Sequence, residues 1–117
     1  MVSEMNGLVS AAASMRDVRV LILGDMVADI YLDGRISRIS REAPVLVLEE
    51  MDERVVAGGA ANVAHNAATL GGAVRAFGIL GEDAGGNGIA AVLKAAGVDV
   101  RGLIETKERP TISKTRV

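Results

Sequence analysis

Gly58-Gly59-Ala60-Ala61-Asn62-Val63-Ala64 is the stretch that decides how this chain is read. Two glycines let the backbone approach a ligand closely, and an apolar helix with Asn62 in its first turn begins at once. That first turn offers unpaired N–H groups and the positive end of a dipole, which suits sugar hydroxyls or anionic oxygens. A plain turn into a helix is the competing reading, and Asn62 is equally suited to capping it. The surroundings favour a site: an acidic strand end upstream, a second glycine-rich turn downstream and a cationic strand at 111–117.

Upstream, Val18-Arg19-Val20-Leu21-Ile22-Leu23 is a short apolar run closed by Gly24-Asp25, the profile of a buried parallel strand. Asp25 and Asp29 follow at its carboxyl end, where open α/β sheets place their ligands. A carboxylate there accepts hydrogen bonds from vicinal sugar hydroxyls, although stabilising the turn is the simpler role for Asp25. Residues 32–57 alternate short strand-like pieces with charges, and Val45-Leu46-Val47-Leu48 is apolar on both pleat faces. The pattern predicts a small sheet standing off the main body, one face toward a ligand and the other toward a second subunit. An ordinary edge hairpin is the alternative.

Downstream, residues 62–70 read as a helix with Val63, Ala67 and Leu70 on one stripe, ended by Gly71-Gly72. A second buried strand follows at 73–80, carrying Phe77, then a glycine-rich turn at 81–88 and a short helix at 89–96. Two strand–turn–helix units in succession predict parallel pairing through right-handed crossovers. Residues 98–104 read as another short strand. Residues 111–117 alternate as a strand with Lys114 and Arg116 on one face, and that strand reads as cut off in mid-domain. Residues 1–17 read as a weak helix or extension.

The composition narrows the function. A chain of 117 residues fits one domain, and with 50% hydrophobic but only 2% aromatic residues its core must be built from Ala, Val, Leu and Ile. A net charge of −2 argues against a general nucleic-acid binder, and the absence of cysteine excludes disulfides and thiolate metal sites. No apolar run approaches the roughly 18 residues a membrane span needs, and residues 1–15 do not read as a secretory signal, so the cytoplasm is the expected location. His65, the single histidine, reads as a packed or surface residue. Gly81-Glu82-Asp83-Ala84-Gly85-Gly86 is neither G-x-G-x-x-G nor a Walker motif, and reads as a structural turn. Arg35, Arg38, Arg41, Lys114 and Arg116 are the candidates for phosphate oxygens, with surface solubility the plainer role for most.

In this order the pieces resemble the N-terminal part of the ribokinase-type (PfkB) carbohydrate kinases, over about residues 18–117. The resemblance is carried by Gly24-Asp25-Met26-Val27-Ala28-Asp29-Ile30-Tyr31, by Gly58 to Asn66, by Gly78-Ile79-Leu80-Gly81-Glu82-Asp83 and by Arg109 to Val117. Arg38-Ile39-Ser40-Arg41-Glu42-Ala43-Pro44-Val45 points to the branch acting on D-glycero-β-D-manno-heptose 7-phosphate. Arg41 stands where that branch usually has proline, and Ala28 where it has a larger aliphatic residue. The resemblance implies an α/β ribokinase-like fold: a parallel sheet flanked by helices, with a small β-sheet lid formed by about 32–57 and 111–117. It implies that Asp29, Gly58, Gly59 and Asn62 hold sugar hydroxyls, that Lys114 and Arg38 reach the substrate phosphate, and that the lid joins a homodimer.

The same resemblance implies ATP and Mg2+ as the cofactors of the complete protein. The family's Gly-Ala-Gly-Asp motif, whose Asp is the general base, and its Asn-x-x-Glu motif do not occur in these 117 residues. The expectation is therefore the acceptor half of a kinase, binding neither cofactor and inactive alone. The implied reaction yields heptose 1,7-bisphosphate on the route to ADP-heptose and the lipopolysaccharide core. Two alternatives stand beside it: another PfkB sugar kinase of ribokinase type, and a non-catalytic sugar-binding or dimerisation remnant.

Overall fold

A computed structural model describes the backbone of residues 1–117 and every side chain except those of Val2, Glu50 and Met51. A first helix, α1 (Val2–Ala13), is followed by β1 (Arg19–Leu23), β2 (Met26–Ile39), β3 (Leu46–Gly59) and α2 (Ala60–Thr69). Then come β4 (Ala73–Gly81), α3 (Ala84–Ala95), β5 (Asp99–Thr106) and β6 (Ile112–Arg116). The strands divide into two three-stranded sheets, ordered β1-β4-β5 and β3-β2-β6. The first is wholly parallel, as two successive strand–helix units require. The second pairs β2 antiparallel with β3 and parallel with β6.

The chain changes sheets at Gly24–Asp25, where β1 ends and β2 begins. The hairpin of the second sheet therefore spans 26–59, longer than the 32–57 read from the charge pattern. Its inner half carries Met26, Ala28 and Ala57 into the core, where they meet Ala61, Ala64, Val74, Ala76, Leu80, Ile89 and Leu93. This core is aliphatic throughout, as the composition demands.

Helix α2 buries Ala61 and Ala64, while Val63 and Leu70 are exposed, so the Val63–Ala67–Leu70 stripe is not the packed face. Alanines allow the helix backbone to lie close to the strands, and that closeness outweighs the larger area of Val and Leu. Helix α3 begins at Ala84, not Ile89, and takes in Gly85, Gly86 and Gly88. A Cβ at Gly86 would run into the Gly81 carbonyl, and one at Gly88 would lie 3.0 Å from Val55. These glycines admit a helix close to the strands where the sequence suggested a turn.

Helices α2 and α3 cover one face of the parallel sheet. On the other, Leu21, Leu23, Ile79 and Ile104 are exposed, and β4 alternates buried Val74, Ala76 and Leu80 with outward Arg75 and Ile79. The radius of gyration is 18.9 Å, well above the ~13 Å of a compact domain of this length. The excess reflects an exposed α1 and a hairpin that reaches out from the core.

Candidate functional site

The corner that opens the sequence lies where the two sheets meet, at the carboxyl end of β1. Gly59 adopts φ 57 and ψ −133, and a Cβ there would sit 2.6 Å from the Asp25 carbonyl. That carbonyl accepts the Ala60 N–H at 2.8 Å, satisfying one of the free donors of α2. The role seen for Asp25 is thus a main-chain one at the turn. Asn62, exposed in the first turn of α2, accepts a hydrogen bond from the Asn66 side chain at 3.3 Å; the N-cap position is Gly59.

Gly58 faces Val27 across the hairpin, and a Cβ on it would lie 3.0 Å from Asp29 Oδ2. The carboxylate and the diglycine corner, 29 residues apart in the chain, are therefore in contact. Along β2 the pleat puts Val27, Asp29 and Tyr31 on one face. Register adds Val56 and Arg54 from β3, and Lys114 and Arg116 from β6, with Lys114 opposite Asp29 and Arg116 opposite Tyr31. Arg116 Nη1 donates to Asp29 Oδ1 at 2.8 Å. The guanidinium groups of Arg54 and Arg116 lie 5.0 and 5.1 Å from the Tyr31 ring centroid, within cation–π range.

Arg38 does not join this group. It is exposed on the outer half of β2, beyond the register shifts at Asp33/Gly34 and Ile36/Arg38. At roughly 3.3 Å per residue it lies about 30 Å along the strand from Asp29. Arg54 and Tyr31 enter the site without having been singled out from sequence. The Val27–Asp29–Tyr31 alternation was a usable signal, but the pairing that brings Arg54 alongside was not visible in it. His65 is half-buried on α2 and its carbonyl accepts the Thr69 hydroxyl at 2.9 Å, in keeping with a structural residue.

The second glycine-rich turn has a structural role. Asp83 caps α3 by accepting from Gly86 N–H at 2.8 Å, and it also accepts the Thr111 N–H and hydroxyl, each at 2.7 Å. Thr111 Oγ1 in turn accepts the Gly81 N–H at 2.9 Å, so the buried Thr111 fastens the start of β6 to the end of β4. The Thr111 N–H foremost, then that of Gly86, holds the Asp83 carboxyl below the usual carboxylate range against an opposing effect of burial.

The largest recess, about 570 Å³, is elsewhere, bounded by Arg19, Leu21, Arg75 and Asp99. It opens on the uncovered sheet face at the amino ends of the strands, the end opposite to that used by ligands in open α/β sheets. Among the described residues no group of three His, Cys, Asp or Glu is placed to hold a metal ion. These residues do not make a Mg–ATP site, and what the Asp29 face offers is hydrogen bonding and charge. No helix is long and apolar enough to cross a membrane.

A parallel α/β sheet whose first strand runs into a three-stranded side sheet, with a carboxylate set against a diglycine corner at the junction, defines a ribokinase-like sugar kinase scaffold. The profile described as pfkB family carbohydrate kinase matches residues 18–117, and the chain belongs to that family. It is 43% identical over 114 residues to the "Bifunctional protein HldE" of Geobacter metallireducens, covering 97% of this chain and 23% of that protein. It is 46% identical over 99 residues to the protein of the same name from Azorhizobium caulinodans, covering 84% of this chain and 21% of the relative. The chain thus spans less than a quarter of the length of these relatives. Among solved structures, Arabidopsis thaliana ribokinase complexed with ribose and ATP superposes with a TM-score of 0.64 at 30% identity, over 86% of this chain and 31% of that one.

Proposed function

We propose that this chain is the acceptor-binding and lid portion of an ATP-dependent kinase that converts D-glycero-β-D-manno-heptose 7-phosphate to the 1,7-bisphosphate, toward ADP-heptose and lipopolysaccharide core. The observation that carries the reading is the contact between the Asp29 carboxylate and Gly58. An ionised carboxylate accepts from two neighbouring hydroxyls, and a glycine corner lets a sugar ring reach main-chain groups that a Cβ would fence off. Asp29, Gly58, Gly59 and Asn62 orient the sugar, and Lys114, exposed on the same sheet face, meets the 7-phosphate as a point charge. The 43–46% identity to proteins named HldE favours the heptose over a pentose or a hexose.

In this reading, proton removal from the sugar O1 and the placing of Mg–ATP fall to residues outside these 117, so the chain alone binds sugar without turnover. The protein works in the cytoplasm as a homodimer. The dimer is joined through the outer hairpin, where Ile36, Ile39, Leu46 and Leu48 are exposed.

The test is phosphoryl transfer by the full-length protein, followed by phosphorus NMR, with heptose 7-phosphate, ribose and fructose 6-phosphate offered in parallel. We expect turnover of the heptose and a loss of about 100-fold or more in kcat/KM for Asp29→Ala, since the remaining groups would no longer hold the hydroxyl in line. A preference for ribose would remove the heptose assignment. Unchanged activity in Asp29→Ala would remove the site.

A further inference from the structure

Arg116 is placed unlike an ordinary surface cation. Its Nη1 donates to Asp29 Oδ1 at 2.8 Å, while its guanidinium lies 5.1 Å from the Tyr31 ring centroid, with Arg54 5.0 Å from the same ring. The pair is open to water, with side-chain exposures of 40% for Arg116 and 22% for Asp29, so it contributes little to folding. What it does fix is geometry. A carboxylate at the end of a two-bond side chain rotates freely unless something holds it. Here Arg116 takes one oxygen, and the other is left lying against Gly58.

We infer that Arg116 is a positioning residue, locking the Asp29 carboxylate so that Oδ2 is presented to a sugar hydroxyl beside the diglycine corner. This rests on the proposed sugar site. Only an arginine can both stack on an aromatic ring and donate in the plane of a carboxylate; a lysine keeps the charge and loses the orientation. Lys114, the register partner of Asp29 itself, remains the group for an anionic substituent.

The two cationic roles separate in a binding experiment. Calorimetry on the full-length protein uses heptose 7-phosphate and the same heptose without phosphate, each against Arg116→Gln, Arg116→Lys, Lys114→Gln and Asp29→Ala. Arg116→Gln is expected to weaken both sugars alike, by about 10-fold, the scale of one charge-assisted hydrogen bond. Arg116→Lys should recover part of that loss, and melting temperature should not move. Lys114→Gln is expected to weaken only the phosphorylated sugar. A loss in Arg116→Gln confined to the phosphorylated sugar makes Arg116 a phosphate ligand and overturns the inference. Unchanged or tighter binding of both also overturns it, the latter marking Arg116 as a competitor for the carboxylate. If Asp29→Ala binds both sugars normally, the sugar site itself is wrong, which is a separate failure.

Discussion

Gly59 combines a left-handed φ with a neighbour that leaves no room for a side chain. Its φ is 57, and the Asp25 carbonyl lies 2.6 Å from where a Cβ would stand. That carbonyl is the acceptor for the first N–H of α2, so displacing it also frees a helix donor. Gly59→Ala is therefore expected to cost about 1–3 kcal/mol, read as a lowered urea midpoint at unchanged slope. Gly58 meets the flexible Asp29 carboxylate at 3.0 Å instead of fixed backbone. The two glycines look equivalent in sequence, yet one serves the chain's path and the other leaves room for a side chain. Sequence revealed that a special corner existed. It could not show the division of labour, because that depends on which atoms the hairpin folds against each glycine.

Helix α3 shows tertiary packing overriding local preference. Gly85, Gly86 and Gly88 are poor helix formers, and residues 81–88 read naturally as a turn. They are helical because Asp83 caps the first turn and because Ala28, Thr111 and Val55 press against the places where side chains would be. Asp83 also holds β6 through Thr111, so one carboxylate anchors a helix and a strand. Its pKa is lowered in the folded state, below the unfolded value of about 3.9. The stabilisation is therefore complete above that value and is lost as pH falls through the folded pKa. Asp83→Ala is expected to be less stable than wild type by about 1–3 kcal/mol at neutral pH, with the gap narrowing below about pH 4. Denaturant titrations at several pH values check both parts. The β strands were easier to read, since periodicity alone located β1, β4 and β5 to within a residue or two. Their pairing partners were not legible, and Arg54 and Tyr31 went unnoticed for that reason.

At the scale of the molecule, extents of 64 × 43 × 19 Å describe a flat body with a long arm. The outer arm carries Ile36 opposite Leu48 and Ile39 opposite Leu46, all exposed. Apolar pairs on an exposed hairpin are a ready surface for a second copy. Ile39→Glu combined with Leu46→Lys is expected to convert a dimer to a monomer in sedimentation velocity. A dimer that survives both changes would place the interface elsewhere. The alternation of apolar residues with charge announced that this arm stood apart, but its length was underestimated. Residues 26–31 read as part of the main sheet because the switch between sheets happens within Gly24–Asp25, too short an interruption to register as a boundary.

That switch has a mechanical consequence. Asp29 rides on the side sheet, whereas Asn62 rides on α2, which is packed into the body through Ala61 and Ala64. A carbohydrate held by both would bridge two plates joined at a crease. Twisting one plate against the other would then alter the spacing of its grips, so affinity for the sugar becomes a gauge of the angle between them.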